Sequence, residues 1–168
     1  MNVKKKNPHA RDLVLLPLGG TGEIGMNCLA IEQPDGILVV DAGITFPHQD
    51  LGVDVYHPDF SWLDQHADRV VGVFLTHGHE DHVGALPYLL EHLDVPVFGP
   101  PHALAMAKRR LVEHDFASHD LDLHEVRAGS LTRVGPFEVE AIRVSHSIVE
   151  ASALCIETAE GFVVHTGD

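Results

Sequence analysis

Apolar residues fall in short runs broken by glycine, proline and aspartate, a strand-rich pattern. "LVLLPLGG" predicts a strand that ends in a turn, and "MNCLAIEQ" alternates as a strand does. "GILVVDAG" follows the turn at Pro34-Asp35-Gly36 and is apolar throughout, as in a strand covered on both faces. Residues 44–61, with Pro47, Gly52 and Pro58, predict a loop. "RVVGVFLTH" is a second buried strand, and "VPVFG" a third. Helical spacing appears in "GALPYLLEHL", where Leu86, Leu89, Leu90 and Leu93 share a face. It appears again in "HALAMAKRRLVEH", which Pro100 and Pro101 introduce. "FEVEAIRVSH" alternates, and "SALCIET" and "GFVVHTGD" predict a hairpin about Ala159-Glu160-Gly161. The expectation is an α/β or α+β domain over residues 13–168, with a mixed sheet, after a flexible lead-in at 1–12.

"GGTGEIG" places Gly20, Gly22 and Gly25 at the spacing of a dinucleotide fingerprint, with Asp41 at a later strand end. The fingerprint needs a helix after the glycines to receive a pyrophosphate. Here an alternating strand follows instead, and too few residues separate it from the next strand for a βαβ crossover. The glycines are expected to form a tight turn near the rim of a site.

Composition narrows the class. With 168 residues, 45% of them hydrophobic, the chain can build one core. No apolar window is long enough to cross a membrane. The first apolar run breaks at Pro17, Gly19 and Gly20, so no signal peptide is expected. Cys28 and Cys155 each lie inside an apolar stretch, which suits buried free thiols and a cytoplasmic location. The formal charge of −14 taken alone argues against a nucleic-acid partner. Acids that ligate metal would change that balance, since bound cations reverse the local field. A chain ending on "VVHTGD" reads as one that continues elsewhere.

The densest chemistry is in "FLTHGHEDHVGALP". His77, His79, Asp81 and His82 follow an apolar strand, in a turn where alternate side chains can converge. Neutral imidazoles and carboxylates suit zinc or manganese. His146 in "VSHS" and Asp168 in "HTGD" sit at other strand ends and could complete such a site. Asp41, after "ILVV", reads either as a turn cap or as the acceptor that holds a ligand imidazole in its tautomer. Glu80 is expected to point away. His48, His57, His66, His92, His102, His114, His119 and His124 read as solvated, and His165 as a packing or supporting residue.

His77-x-His79-x-Asp81-His82, with Asp41 before it and His146 and Asp168 after it, resembles the metallo-β-lactamase superfamily. The strings "LGGTGEIGMN", "DAGITFP", "GVDVYHPDFSWL", "FLTHGHEDHVGALPYLL", "VPVFG", "SHSI" and "VVHTGD" look like the ribonuclease J family of its β-CASP branch, from about residue 13 onward. The resemblance implies an αββα sandwich of which this chain is the first half. The rest of the lactamase domain, the β-CASP domain and the C-terminal domain would lie outside it. It implies two Zn2+ (or Mn2+), with His77, His79 and His146 on one, Asp81 and His82 on the other, and Asp168 bridging. Asp81 and Asp168 would take part in catalysis, and some members carry a structural Ca2+ near Leu51 and Val53. The implied activity is 5′→3′ exonucleolytic and endonucleolytic cleavage of RNA, by a homo-oligomer when full length. The His/Asp motif alone is shared with lactamases, thioesterases and tRNA-processing nucleases, so a thioester or lactam hydrolase stays open, as does a non-catalytic metal-binding fragment. One departure is Val149-Glu150, where the family carries Pro-Asp after "HSI".

Overall fold

The computed structural model describes residues 13–47 and 52–168. Two sheets stack face to face, and helices cover the outer face of the first. That sheet runs in the order β1 (Val14–Gly19), β2 (Cys28–Gln33), β3 (Gly36–Val40), β4 (Val70–Phe74), β5 (Val97–Gly99), β6 (Leu123–Glu125). β1 to β3 pair antiparallel, and β3 to β6 pair parallel. The second sheet is antiparallel, in the order β10 (Gly161–His165), β9 (Ser152–Thr158), β8 (Phe137–Arg143), β7 (Leu131–Val134).

The run "GILVV" is buried at every position because both of its faces are covered. Ile37 and Val39 pack toward α3 (Leu86–Leu90) and α4 (Pro101–Glu113), alongside Leu86, Leu89, Leu104 and Leu111. Leu38 and Val40 pack toward the second sheet, against Phe137, Val139, Leu154 and Ile156. Each such side chain contributes roughly 1.5–3 kcal/mol on burial. Alternation in β8 is read as expected: Phe137, Val139 and Ala141 are buried, while Ile142 is exposed.

Several expectations change. The predicted loop at 44–61 holds the bridge Thr45–Tyr56 and ends where α1 (Ser61–Asp64) begins. The sequence pattern predicts neither β6 nor β7, since segments of three and four residues are too short to show a period. The His-rich segment is not a simple turn: α2 (Glu80–Val83) begins directly after His79. Cys155 is half-buried rather than buried, because it faces outward from β9. Among the described residues no helix is long and apolar enough to cross a membrane.

Candidate metal centre

Parallel strands β3 and β4 end side by side, which sets Asp41 beside Thr76 at one sheet edge. Asp41 takes a left-handed conformation, φ 61°, which aspartate tolerates better than most residues. Its Oδ1 accepts the Thr76 N–H at 2.7 Å and its Oδ2 accepts the Thr76 hydroxyl at 2.8 Å. The same Oδ2 lies 2.8 Å from Nδ1 of His82. This bond fixes the ring so that Nε2 faces the site, the atom a metal would use. Asp41 thus touches both Thr76 and the His82 imidazole.

His77 and His79 lie between β4 and α2, with His79 in extended backbone, and His82 comes from α2. Nε2 of His77 is 3.0 Å from Nδ1 of His79, which is 3.1 Å from Nε2 of His146. The second sheet delivers His146, because Ser152 N–H donates to the Thr76 carbonyl at 3.1 Å and locks β9 to the end of β4. His146 and Asp168 are not at strand ends as expected. Each lies three residues past its strand, β8 or β10.

Two groups of donor atoms result, each within 4.8 Å: His77, His79 and His146, and His77, His82 and Asp168. Asp168 faces both sides. Its Oδ1 is 3.3 Å from His82 Nε2, and its Oδ2 is 3.9 Å from His146 Nε2. Asp81 stands at the margin, with Oδ2 3.7 Å from His82 Nε2. It lies outside both tight groups. Glu80 turns away as expected and pairs with Arg110 of α4 at 2.6 Å.

The electrostatics fit cations. Burial, aided by the charge of His82, pushes His77 down to about 4 against the pull of Asp41 and Asp168, so its ring is neutral and has a lone pair to give. Burial opposes charge on His82 too, but the bond to Asp41 and the charges of Asp41, Asp168 and Asp81 prevail and raise it to about 9. Asp41 is held below the usual carboxylate range: the His82 bond and charge overcome its burial. A cation can replace the His82 proton in that negative field. Three imidazole nitrogens converging at about 3 Å also gain from a shared cation, because hydrogen bonds among them cannot use every lone pair.

Asn27 and Thr76 receive no role from the sequence pattern, yet both shape the site. Asn27 Nδ2 donates to the Asp81 carbonyl at 3.1 Å and to Asp81 Oδ2 at 3.3 Å, and lies 3.1 Å from His82 Nε2. The glycine turn before it, with φ of 80° to 90° at Gly20, Gly22 and Gly25, delivers Asn27 to the rim. That turn's expected place near the site was the clue to it. No helix follows the glycines, as expected.

Of the histidines read as solvated, His57, His92, His119 and His124 are exposed, and His66, His102 and His114 are half-buried. His57 stacks on Tyr88, His66 on Trp62 and His124 on Phe98. His165 accepts the Gly167 N–H and so supports the turn before Asp168. Of the expected calcium region, Val53 is exposed and belongs to neither donor group, and Leu51 lies outside the described residues, as does His48 among the histidines read as solvated. Glu150 takes φ 60° and accepts the His102 N–H at the start of α4 at 2.9 Å, while Val149 is exposed.

The model of the metallo-beta-lactamase superfamily matches residues 21–168. The chain belongs to the metallo-beta-lactamase superfamily. Within it, the chain is 40% identical to ribonuclease J of Helicobacter pylori (strain ATCC 700392 / 26695) over all of its own length. It is 40% identical to ribonuclease J of Synechocystis sp. over 97% of its length, and 36% identical to ribonuclease J 2 of Staphylococcus aureus (strain NCTC 8325 / PS 47) over 99%. The chain spans 26%, 26% and 29% of those three proteins. The superfamily fold recurs in solved structures. The Bacillus subtilis metallo-beta-lactamase fold protein YhfI has a TM-score of 0.63 at 18% identity, over 92% of this chain and 61% of that one. A Cronobacter sakazakii metallo-beta-lactamase motif mutant has 0.62 at 14%, over 93% and 61%. These two likenesses concern the fold alone.

Proposed function

We propose that this chain is the N-terminal metal-binding part of a ribonuclease that hydrolyses RNA phosphodiesters, both 5′→3′ from an end and internally, in the cytoplasm and as a homo-oligomer. One observation carries the proposal furthest: Asp168 turns one oxygen to His82 and the other toward His146, as a carboxylate shared by two cation sites would. The likeness to ribonuclease J along the whole chain supports RNA as the substrate. His77, His79 and His146 would hold one zinc or manganese ion and Asp81 with His82 the other, with Asp168 between them. Such a pair supplies Lewis acidity that neutralises charge developing on a phosphodiester.

The protein's own groups prepare that chemistry. Asp41 accepts from His82 Nδ1–H, which turns Nε2 to the site, where a cation would replace its proton. Asn27 holds Asp81 Oδ2, which leaves Oδ1 to orient the attacking water. Thr76 ties Asp41 to the strand that carries His77, so the imidazoles cannot drift apart. In the full-length protein, His77→Ala with His79→Ala should abolish both metal binding and RNA cleavage. Retained cleavage refutes the proposal, and turnover of a thioester or lactam without RNA cleavage replaces it with another hydrolase of the superfamily.

A further inference from the structure

Cations are scarce here, and most of those described are already engaged. Arg69 pairs with Glu32, Arg110 with Glu80, Arg109 with Glu113, and Arg133 donates to the Gly135 carbonyl. Arg127 and Arg143 have no carboxylate partner among the described residues, and both line one cavity of about 440 Å³. Both are exposed to solvent, and two guanidiniums without a carboxylate partner in one hollow offer a site to an anion in a chain of net charge −14.

The hollow adjoins a second one that reaches the candidate ligand His146. Arg143 and Glu150 line both, and the second is more open, at about 830 Å³. Arg143 is therefore the cation common to the hollow of Arg127 and the hollow of His146. The cavity wall includes Pro100 and Pro101, at the start of the thirteen-residue helix α4. Glu150 is the one carboxylate in the lining, and its Oε2 is occupied by the His102 N–H.

We propose that Arg143 and Arg127 bind consecutive phosphates of a single-stranded nucleic acid whose scissile phosphate lies at the metal centre. The open groove past His146 receives one strand, and the guanidiniums set its register by the backbone without reading bases. A flexible single strand can bend from the His146 groove into the adjoining cavity, as a stiff duplex cannot. This inference rests on the ribonuclease reading above.

The test is steady-state cleavage of a short single-stranded RNA by the metal-loaded full-length protein across a salt series. Arg127→Gln with Arg143→Gln should raise KM roughly tenfold and leave kcat within about twofold. It should also make the fall of log kcat/KM with log salt shallower by about 1.4, at about 0.7 per lost phosphate contact on a single strand. Arg127→Lys with Arg143→Lys should restore the slope, and Arg133→Gln, outside this cavity, should match the parent. Turnover of bis(p-nitrophenyl) phosphate, too small to reach the cavity, should be unchanged by the Gln pair and reports that the metal centre is intact. An unchanged KM and salt slope in the Gln pair, with RNA still cleaved by the parent, overturns the arginine track and spares the ribonuclease. A parent that turns over the small diester but not RNA overturns both. Loss of the small-diester activity in the Gln pair, with the Lys pair failing to restore the slope, shows a structural role and also overturns the track.

Discussion

Asp41 Oδ2 lies 2.8 Å from Nδ1 of His82, and the two side chains are 1% and 2% exposed. A bond this dry between an acid and an imidazole fixes which nitrogen faces the site. Replacing the acid by Asn27-like amide chemistry, in Asp41→Asn, removes the charge and keeps the shape. Metal affinity should fall about 10- to 100-fold, as is typical for a lost ligand-orienting carboxylate. Chelator competition measures it, and parental affinity in the variant would show that Asp41 is only a turn cap.

The same pair gives the metal-free protein a distinct pH profile. His82, raised to about 9 from an ordinary 6.5, contributes stability that is complete below 6.5 and is lost as the pH climbs through 9. His77, lowered to about 4, acts in the opposite sense, because the unfolded chain takes up its proton first and stability falls as the pH drops from 6.5 through 4. Asp41, also lowered, adds a loss at still more acid pH, below its ordinary 3.8. Chelator-treated protein should therefore melt highest near pH 6.5. Metal binding should strengthen toward pH 9, since the cation displaces the His82 proton. Melting curves across this range check both, and a metal-free melting temperature that keeps rising to pH 9 counts against the His82–Asp41 coupling.

Gly43 is packed so closely against the Asp81 carbonyl that a Cβ there would overlap it. Asp81 and His82 share that backbone, and Ala42 N–H donates to the His82 carbonyl at 2.8 Å. Gly43→Ala should displace α2, cost about 1–3 kcal/mol or more, and weaken metal binding together with stability. Denaturant unfolding and zinc titration of the same variant read the two effects. Stability lost with full affinity kept would mean that α2 moves as a rigid unit.

The outward face of the second sheet carries Phe162, Val164 and Leu131, each more than 60% exposed. No described helix covers it, although helices cover the first sheet. The 168-residue chain alone should self-associate through this face. Phe162→Lys with Val164→Thr should shift it toward monomer in analytical ultracentrifugation. A parent chain that is already monomeric and fully active would refute this, and with it the idea that the isolated chain is an incomplete unit.

The sequence by itself determined the strands and the helices long enough to show a period. It also marked "THGHEDH" as a candidate donor set, because a strand followed at once by three imidazoles and two acids leaves few other uses. The absence of a nucleotide fold was legible too, from the strand that follows the Gly25 turn. β6, β7 and α1 were not legible, because three or four residues carry no period and are held by neighbours rather than by their own propensity. Only the tertiary structure decided that Asp168 faces both imidazole groups, that Asn27 reaches Asp81 across 54 residues of chain, and that Arg127 and Arg143 share a hollow. The physical reason is one of range. Hydrophobic periodicity reports contacts within a segment and its burial. Where two loops meet depends on how the sheets stack and on single long-range bonds, such as Ser152 to Thr76, that leave no mark in local sequence.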